Sequence, residues 1–447
     1  MEQSNGSVAE AHRPTYQPVS DRIQSLDLLR GVALLGILMM NIPYFALPDT
    51  VTHHQLYAHP GDVNFCTNLV VSVLFEGKMR ALFSLLFGAG ILLFTTQKET
   101  ASGGSIAVAD LYYRRMLWLV FFGVVHAFVI LWFGDILYWY GLDGLLLFTF
   151  RHASPRRLFI GAMFCFAFLV FQRCWDFALV KEKRENYLTA LALEKQNKTL
   201  TEAQKEHKAA WEKLEKGRAL DIQAAEKEIS VMRGNYAQVW NHVRPIAVES
   251  QSSYYYRNLW DSLGMMLLGM ALFKWGVLTK GSRRTYLLLV LIGYGIGLPL
   301  GYWAVWQEAA ATENYGHYLD THWLPPAVTY NIRRTGTMLG HIGLILLLAR
   351  VETFRWLGQS LRAVGQMAFT NYVLQSLICT GIFYGYGLGY YGRLQYYQLM
   401  YVVAGVGILE LIISPIWLRY FRFGPLEWLW RSLTYRKLQP FVKPLIP

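Results

Sequence analysis

The side chains best suited to proton transfer in this sequence are His126 and Asp135. His126 lies within an apolar segment, on the same helix face as Arg115, and Asp135 follows in an outer turn. Histidine is the side chain that titrates nearest neutral pH, and a carboxylate can orient its ring. Together the two residues could therefore act as a general base and its orienting group. A single histidine in an apolar helix is more often a hydrogen-bonded core residue, so both interpretations stay open.

The first apolar segment carries three polar side chains, Asp27, Arg30 and Asn41. Asp27 and Arg30 are neighbours on a helix face, and Asn41 returns to almost the same azimuth about 16 Å further along the axis. An ionised side chain near the bilayer centre costs roughly 3 kcal/mol or more unless it is partnered. The three residues therefore face protein or a polar cavity and are candidates for lining a substrate path.

Three charged side chains, Glu76, Lys78 and Arg80, interrupt the next apolar stretch. Lys78 and Arg80 could hold an anionic substrate or a phosphate, with Glu76 as partner or proton acceptor. In the alternative interpretation, Gly77 breaks the helix, and the charged side chains lie at the membrane interface and snorkel to water. The sequence does not decide between the two.

Other polar candidates lie in an outer loop and in a later apolar segment. His54 is the second candidate for a base, acting on an acceptor outside the cytoplasm. Asn371 and Gln375 could bind a ligand, although hydrogen bonds between helices are the commoner use of such residues. The four cysteines have no metal-ligand spacing, so no metal site is expected.

These residues must be positioned by helices that cross a membrane. The chain is 54% hydrophobic and 16% charged, and apolar runs long enough to cross about 30 Å of hydrocarbon recur along it. We therefore predict an all-α polytopic membrane protein with about ten transmembrane helices, near residues 25–47, 68–95, 115–133, 135–150, 157–179, 258–278, 285–306, 328–349, 364–386 and 396–418.

Lysine and arginine concentrate in alternate loops, which places those loops in the cytoplasm. The outer loops 49–64 and 307–327 contain neither residue. This pattern predicts a bacterial inner-membrane protein with both termini in the cytoplasm. The net charge of +12 follows largely from this topology and from attraction of basic loops to the lipid bilayer, and nothing supports a nucleic-acid partner.

A charged segment divides the predicted spans into two groups. In residues 181–250, 24 of 70 side chains are Asp, Glu, Lys or Arg, which predicts solvated helices outside the membrane. The predicted regions are a cytoplasmic tail (1–24), transmembrane helices 1–5 (25–180), an extracytoplasmic helical insertion (181–255), transmembrane helices 6–10 (256–420) and a cytoplasmic interfacial tail (421–447).

Four segments resemble the YeiB-like family of bacterial inner-membrane proteins. The most specific are Gly-Gln-Met-Ala-Phe-Thr-Asn-Tyr-Val-Leu-Gln-Ser at 365–376 and Gly-Pro-Leu-Glu-Trp-Leu-Trp-Arg-Ser-Leu-Thr-Tyr at 424–435. Residues 77–88 and 126–137 also look like signatures of that family. The resemblance covers nearly the whole chain, but it implies no defined activity.

A more distant resemblance does imply an activity. The Asp-x-x-Arg-Gly sequence that begins at Asp27 is similar to the first span of transmembrane acyltransferases, such as heparan-α-glucosaminide N-acetyltransferase and bacterial polysaccharide O-acyltransferases. Those enzymes deliver an acyl group from cytoplasmic acyl-CoA to an acceptor across the membrane. The O-acyltransferases carry a histidine where this chain has Asn41, and asparagine cannot act as a base. The N-acetyltransferase looks to draw its histidine from the following outer loop, where His54 falls.

The expected function is transfer of an acyl group, acetyl by preference, from acyl-CoA to a hydroxyl or amine of an outward-facing glycan, lipid or small molecule. His126 or His54 would remove the proton of the acceptor, and basic cytoplasmic residues would hold the phosphates of CoA: Arg114, Arg115, Arg156 and Arg157. The alternative is a transporter of a small polar or anionic solute. A scaffold role is disfavoured by the buried ionisable groups, and homo-oligomerisation is left open.

Overall fold

The computed structural model describes residues 23–102, 105–218 and 220–444. Within these ranges the chain is helical, and the all-α prediction is confirmed. Residues 1–22 of the predicted N-terminal tail lie outside the described part. The first six helices are α1 (Gln24–Ala46), α2 (Asp49–Tyr57), α3 (Val63–Leu74), α4 (Lys78–Ser102), α5 (Ser105–Phe128) and α6 (Leu137–Leu147).

The seventh helix, α7 (Pro155–Lys195), is 41 residues long and continues from the predicted fifth span into the charged insertion. The insertion then contains α8 (Glu202–Arg218), α9 (Ile222–Met232) and α10 (Tyr236–Gln251). The remaining helices are α11 (Ser253–Lys274), α12 (Val277–Lys280), α13 (Arg283–Glu313), α14 (Tyr315–Thr321), α15 (Tyr330–Leu348), α16 (Arg355–Gln366), α17 (Ala368–Phe383), α18 (Tyr396–Tyr420) and α19 (Pro425–Tyr435).

Several helical segments in the described ranges are long and apolar enough to cross a membrane. There are five, or six if the bent pair Pro326–Leu348 and Glu352–Gln366 counts as one span. Each of the ten predicted spans overlaps a helix. However, α6 and α17 have only 11 and 16 residues, fewer than the roughly 20 that a span needs. The number ten therefore stays a prediction.

The loops that the sequence groups by charge also lie together in the structure. At one end of the bundle, the insertion contacts the loops expected outside, for example through the ion pair of Arg184 with Asp320 and the hydrogen bond from Tyr391 to Glu228. At the other end, basic loops contact one another, as where Arg350 donates to the Gly281 carbonyl at 2.8 Å. We call these the insertion end and the basic end. Which end faces the cytoplasm stays a prediction.

Close helix crossings hold the polar residues of the first spans in the centre of the molecule. A Cβ atom on Gly365 of α16 would lie 1.9 Å from the Asp27 carbonyl oxygen of α1. A Cβ atom on Gly269 of α11 would lie 1.9 Å from the Leu85 carbonyl oxygen of α4. Because only glycine permits such approaches, α16 packs directly against α1, and α11 packs directly against α4.

Candidate functional site

The loop between α5 and α6 folds back into the bundle and carries Asp135 to His126. Leu131 turns the chain with a φ of 66°, and Trp132 is buried and stacks on Phe45 at 3.8 Å between ring centroids. As a result, Asp135 Oδ1 lies 2.7 Å from His126 Nδ1. The structure therefore brings together the two residues that the sequence proposes as a base and its orienting carboxylate.

This pair is enclosed by protein. His126 and Asp135 are each 1% exposed, and the His126 ring packs 5.0 Å from the ring of Tyr372. A neutral His126 that donates Nδ1–H to Asp135 keeps Nε2 as an acceptor, and within the described residues Nε2 has no hydrogen-bond partner. The pair has the chemistry of a base, but it lines neither of the two cavities that flank the centre of the bundle.

The first cavity, of about 230 Å³, lies at the basic end. Its charged lining consists of three arginines and one carboxylate: Arg30, Arg115, Arg431 and Glu427. The remaining wall is largely aromatic, and the Arg115 guanidinium lies 3.8 Å from the Trp430 ring centroid. Arginine and aromatic groups bind phosphates and flat rings, so this cavity suits an anionic ligand with apolar parts.

The three polar side chains of α1 do not all face the same surroundings. Arg30 lines the cavity and pairs with buried Asp27, with 3.3 Å between Nη1 and Oδ1. Asn41 is partly buried and lines neither cavity, whereas its neighbour Met40 lines the second. The positions of Asp27 and Arg30 therefore agree with the prediction that these side chains face protein or a polar cavity.

The predicted CoA-binding arginines are placed differently from one another. Arg115 lines the basic-end cavity, whereas Arg114 donates to the Thr434 carbonyl at 2.9 Å and so ties α5 to α19. Arg156 and Arg157 are exposed at the start of α7, outside the cavity lining. Only Arg115 of the four is therefore positioned to touch a ligand inside this cavity.

Helix α19 closes one side of the basic-end cavity and also caps α17. The Glu427 carboxylate accepts hydrogen bonds from the backbone N–H groups of Phe369 and Thr370, at 2.7 and 3.1 Å, and from the Thr370 hydroxyl. Burial raises the pKa of Glu427, and these hydrogen bonds oppose that rise. Phe369 and Thr370 belong to segment 365–376 and Glu427 to segment 424–435, so the two segments that carry the family resemblance meet here.

Asn371 and Gln375 connect helices and line neither cavity. Asn371 donates to the Ser414 hydroxyl at 2.9 Å, and Gln375 donates to Glu410 at 3.1 Å. The structure thus favours the interhelical use that the sequence left open beside ligand binding.

The second cavity, of about 590 Å³, lies at the insertion end. Its walls come from α1 to α4, α7, α11, α13 to α15 and the start of α18, and Arg218 at the end of α8 contributes from the insertion. Tyrosine, asparagine and charged side chains of both signs line it, among them Glu76 and Arg80. The cavity therefore suits a small polar solute.

The break between α3 and α4 places Glu76 and Lys78 in different surroundings. Gly77 adopts a φ of 72°, and a Cβ atom there would lie 2.6 Å from the Tyr330 hydroxyl oxygen. Glu76 faces the cavity, whereas Lys78 is 2% exposed and donates to the Ser72 carbonyl. The helix breaks at Gly77, as the second interpretation expects, but Lys78 is buried and does not snorkel to water. Binding of an anionic ligand by Lys78 and Arg80 stays a prediction.

Arg80 belongs to a charge cluster at the wall of this cavity. Its Nη2 lies 3.3 Å from Asp261 Oδ2, and Arg334 pairs with the same carboxylate through two bonds of 2.7 and 2.5 Å. Asp261 was not singled out from the sequence, since no local pattern links it to Arg80. The sequence does indicate that Arg334, inside an apolar helix, needs a polar partner, but it does not indicate which residue that partner is.

Two adjacent histidines on α2 face different surroundings. His53 lines the cavity, and its Nε2 lies 3.6 Å from Glu308 Oε1. His54, the second predicted candidate for the base, does not line the cavity and packs against His59, with 5.1 Å between ring centroids. Burial lowers the pKa of His54, and the nearby His59 and His53 lower it further.

The two cavities approach each other at Tyr140. This side chain lines the basic-end cavity, and its hydroxyl lies 2.6 Å from the Ser84 hydroxyl and 3.5 Å from the Arg80 carbonyl. The Arg80 side chain lines the insertion-end cavity. Tyr140 and its partner Ser84 thus lie where the linings of the two cavities come together, and we call this pair the partition.

In the ranges that the structure describes, no group of three or more His, Cys, Asp or Glu side chains is arranged to hold a metal ion.

Comparison with known proteins gives full-length relatives. The chain is 30% identical over 435 residues to the uncharacterized protein YxaH of Bacillus subtilis (strain 168), which covers 95% of the chain and 97% of YxaH. It is also 30% identical over 430 residues to the uncharacterized protein YeiB of Escherichia coli (strain K12), which covers 94% of the chain and 98% of YeiB. A family model described as a protein of unknown function (DUF418) matches residues 272–437. No solved structure matches the chain.

Proposed function

The chain belongs to the YeiB-like family, and from this premise we propose that it is an acyl-CoA-dependent acyltransferase of the bacterial inner membrane. The observation that carries the proposal is the pair of cavities, which lie toward opposite ends of the bundle and approach each other at Ser84 and Tyr140. An acyl donor at the basic end and an acceptor at the insertion end could meet at this partition.

The lining of the basic-end cavity supports an acyl-CoA donor. Arg30, Arg115 and Arg431 supply guanidinium groups for phosphates, and the aromatic wall suits the apolar parts of the donor. Glu427, the one carboxylate in this lining, is engaged in capping α17. The cavity therefore presents a net positive charge to its ligand.

The insertion-end cavity supports a base in contact with the acceptor. We assign this role to His53 in place of its neighbour His54, because His53 lines the cavity. His53 Nε2 faces Glu308, so Nδ1 would take the proton of the acceptor hydroxyl or amine. At the same time, the oxygen or nitrogen of the acceptor bonds to the thioester carbon. The carbon–sulfur bond breaks, and the CoA thiolate leaves and is protonated. Glu308 would stabilise the imidazolium.

His126 is the second candidate for the base. Its Nε2 has no hydrogen-bond partner among the described residues, and Asp135 holds the ring. However, Tyr372 lines the basic-end cavity while His126 does not. A base at His126 therefore requires displacement of Tyr372.

Transport of a small polar solute is the alternative function. The specific observation in its favour is the helix break at Gly77, which places Glu76 in the insertion-end cavity within an otherwise apolar segment. In that case the solute would cross the partition itself, and no bond would be made or broken.

The test is binding and turnover of acetyl-CoA by the purified protein in lipid-supplemented detergent, with native mass spectrometry for binding and thiol release for turnover. Arg115→Gln should weaken acetyl-CoA binding about tenfold or more, since it removes a charged phosphate partner, whereas Arg156→Gln outside the cavity should not. Folded protein that binds no acetyl-CoA would overturn the proposal and favour the transporter.

A further inference from the structure

We infer that the insertion-end cavity binds a small zwitterion, a molecule that carries both an ammonium group and an acidic group. The inference rests on the proposed function, for which it names the acceptor class. Its basis is the set of charged side chains that line the cavity, some of which are paired within the protein and some of which are not.

Several charged side chains in the lining form ion pairs with other protein side chains. Arg80 contacts Asp261, which also binds Arg334. Glu308 lies 3.6 Å from His53 and 3.9 Å from Arg218. These groups have partners in the protein, so they attract a ligand charge less strongly than an unpaired group would.

Of the four other charged side chains in the lining, two of opposite sign are partly buried, Glu76 and Arg333. Within the described residues, the Glu76 carboxylate has no hydrogen bond or ion pair, although the side chain is partly buried. The Arg333 guanidinium lies 5.2 Å from the Tyr330 ring centroid, and its Nε atom is buried and has no hydrogen-bond partner in the described part of the chain.

Partly buried charges without a hydrogen-bonded or ion-paired partner are costly, and a ligand that supplies such partners recovers that cost. Glu76 suits an ammonium group, and Arg333 suits a carboxylate or phosphate. Asp49 and Arg173 also line the cavity, but both are exposed and therefore solvated. A neutral sugar or a simple anion would leave at least one of the two partly buried charges unpaired.

The experiment uses isothermal titration calorimetry on the full-length protein in detergent. The probes are ω-amino acids from glycine to 6-aminohexanoate, with the unbranched amines and carboxylic acids of matching length. The series covers a range of spacings between the two charged groups. We expect at least one amino acid to bind about tenfold or more tightly than the amine and the acid of the same length, since each charged contact contributes to affinity.

Two substitutions assign the contacts. Glu76→Gln should reduce the affinity for the amino acid to that for the acid, and Arg333→Gln should reduce it to that for the amine. Glu313→Gln and Arg393→Gln, which remove charges at the same end but outside the cavity lining, should leave the ranking unchanged. If neither cavity variant changes the ranking, the inference is wrong.

The wild-type protein alone already decides the main point, because equal affinity for the three probe classes overturns the inference even if a variant does not fold. Acetyl-CoA binding without a preference for zwitterions would leave the acyltransferase proposal standing and sink this inference. A preference for zwitterions without acetyl-CoA binding would support the zwitterion site, overturn the acyltransferase proposal and indicate the solute-binding site of a transporter.

Discussion

At the scale of single residues, α2 turns His53 and His54 to different sides. The residues of α2 that line the insertion-end cavity follow a helical spacing: Asp49, Thr52, His53, Leu56 and Tyr57. A helix repeats its face at every third or fourth residue, so His54 falls off this face. Once α2 is known to be a helix, the choice between the two histidines follows from its phase.

Acyl transfer should therefore depend on His53 and tolerate the same change at His54. His53→Gln should lower turnover about 100-fold, because general-base catalysis typically contributes that much, while acetyl-CoA binding is unchanged. His54→Gln is the matched control and should retain turnover. Thiol release under saturating acetyl-CoA and acceptor measures both. Equal loss in the two variants, or loss only in His126→Gln, would contradict the assignment to His53.

The sequence predicted individual partners unevenly. Asp27 and Arg30 could be paired from their spacing, since residues three apart in a helix are neighbours. Asp261 could not be paired with Arg80 and Arg334, because the three residues belong to three helices that are far apart in sequence. The unpaired state of Glu76 and Arg333 is likewise a property of the assembled cavity.

At the scale of helices, the crossing of α1 and α16 has no room for a side chain. Gly365→Ala should lower the free energy of unfolding by about 1–3 kcal/mol, since the added methyl would overlap the Asp27 carbonyl oxygen unless the helices separate. The control is Gly405→Ala in α18, where a Cβ atom meets nothing within 4 Å. Thermal unfolding of both variants in the same detergent measures the difference. An equal effect of the two substitutions would show that the crossing is not tightly packed.

The sequence predicted the long apolar helices well and the short or buried elements poorly. Hydropathy identified α1, α7, α13 and α18, because a continuous apolar run is visible without knowledge of neighbours. It gave no sign that the loop from α5 to α6 is buried, since that depends on Trp132 packing against Phe45 of another helix. The helical character of α2 was also missed, and with it the direction of His53.

At the scale of the whole molecule, the partition at Ser84 and Tyr140 lies between two cavities that are located toward opposite ends of the bundle. Tyr140→Ala should join them, because it removes the ring that lines one cavity and contacts the wall of the other. In liposomes containing the protein, we expect this variant to leak small polar solutes. Tyr140→Phe keeps the ring and loses only the hydroxyl contact, so it should leak far less. Tight liposomes with folded Tyr140→Ala protein would mean that other side chains also close the partition.

The uninterrupted course of α7 has a mechanical consequence. At 41 residues the helix is about 60 Å long, roughly twice the hydrocarbon thickness of a bilayer. Its far part belongs to the insertion, which places Arg218 in the wall of the insertion-end cavity. A helix adapts to a thicker or thinner bilayer by changing its tilt, and a rigid α7 would carry that change to the insertion. We therefore expect the shape of the insertion-end cavity to depend on the length of the lipid chains around the protein.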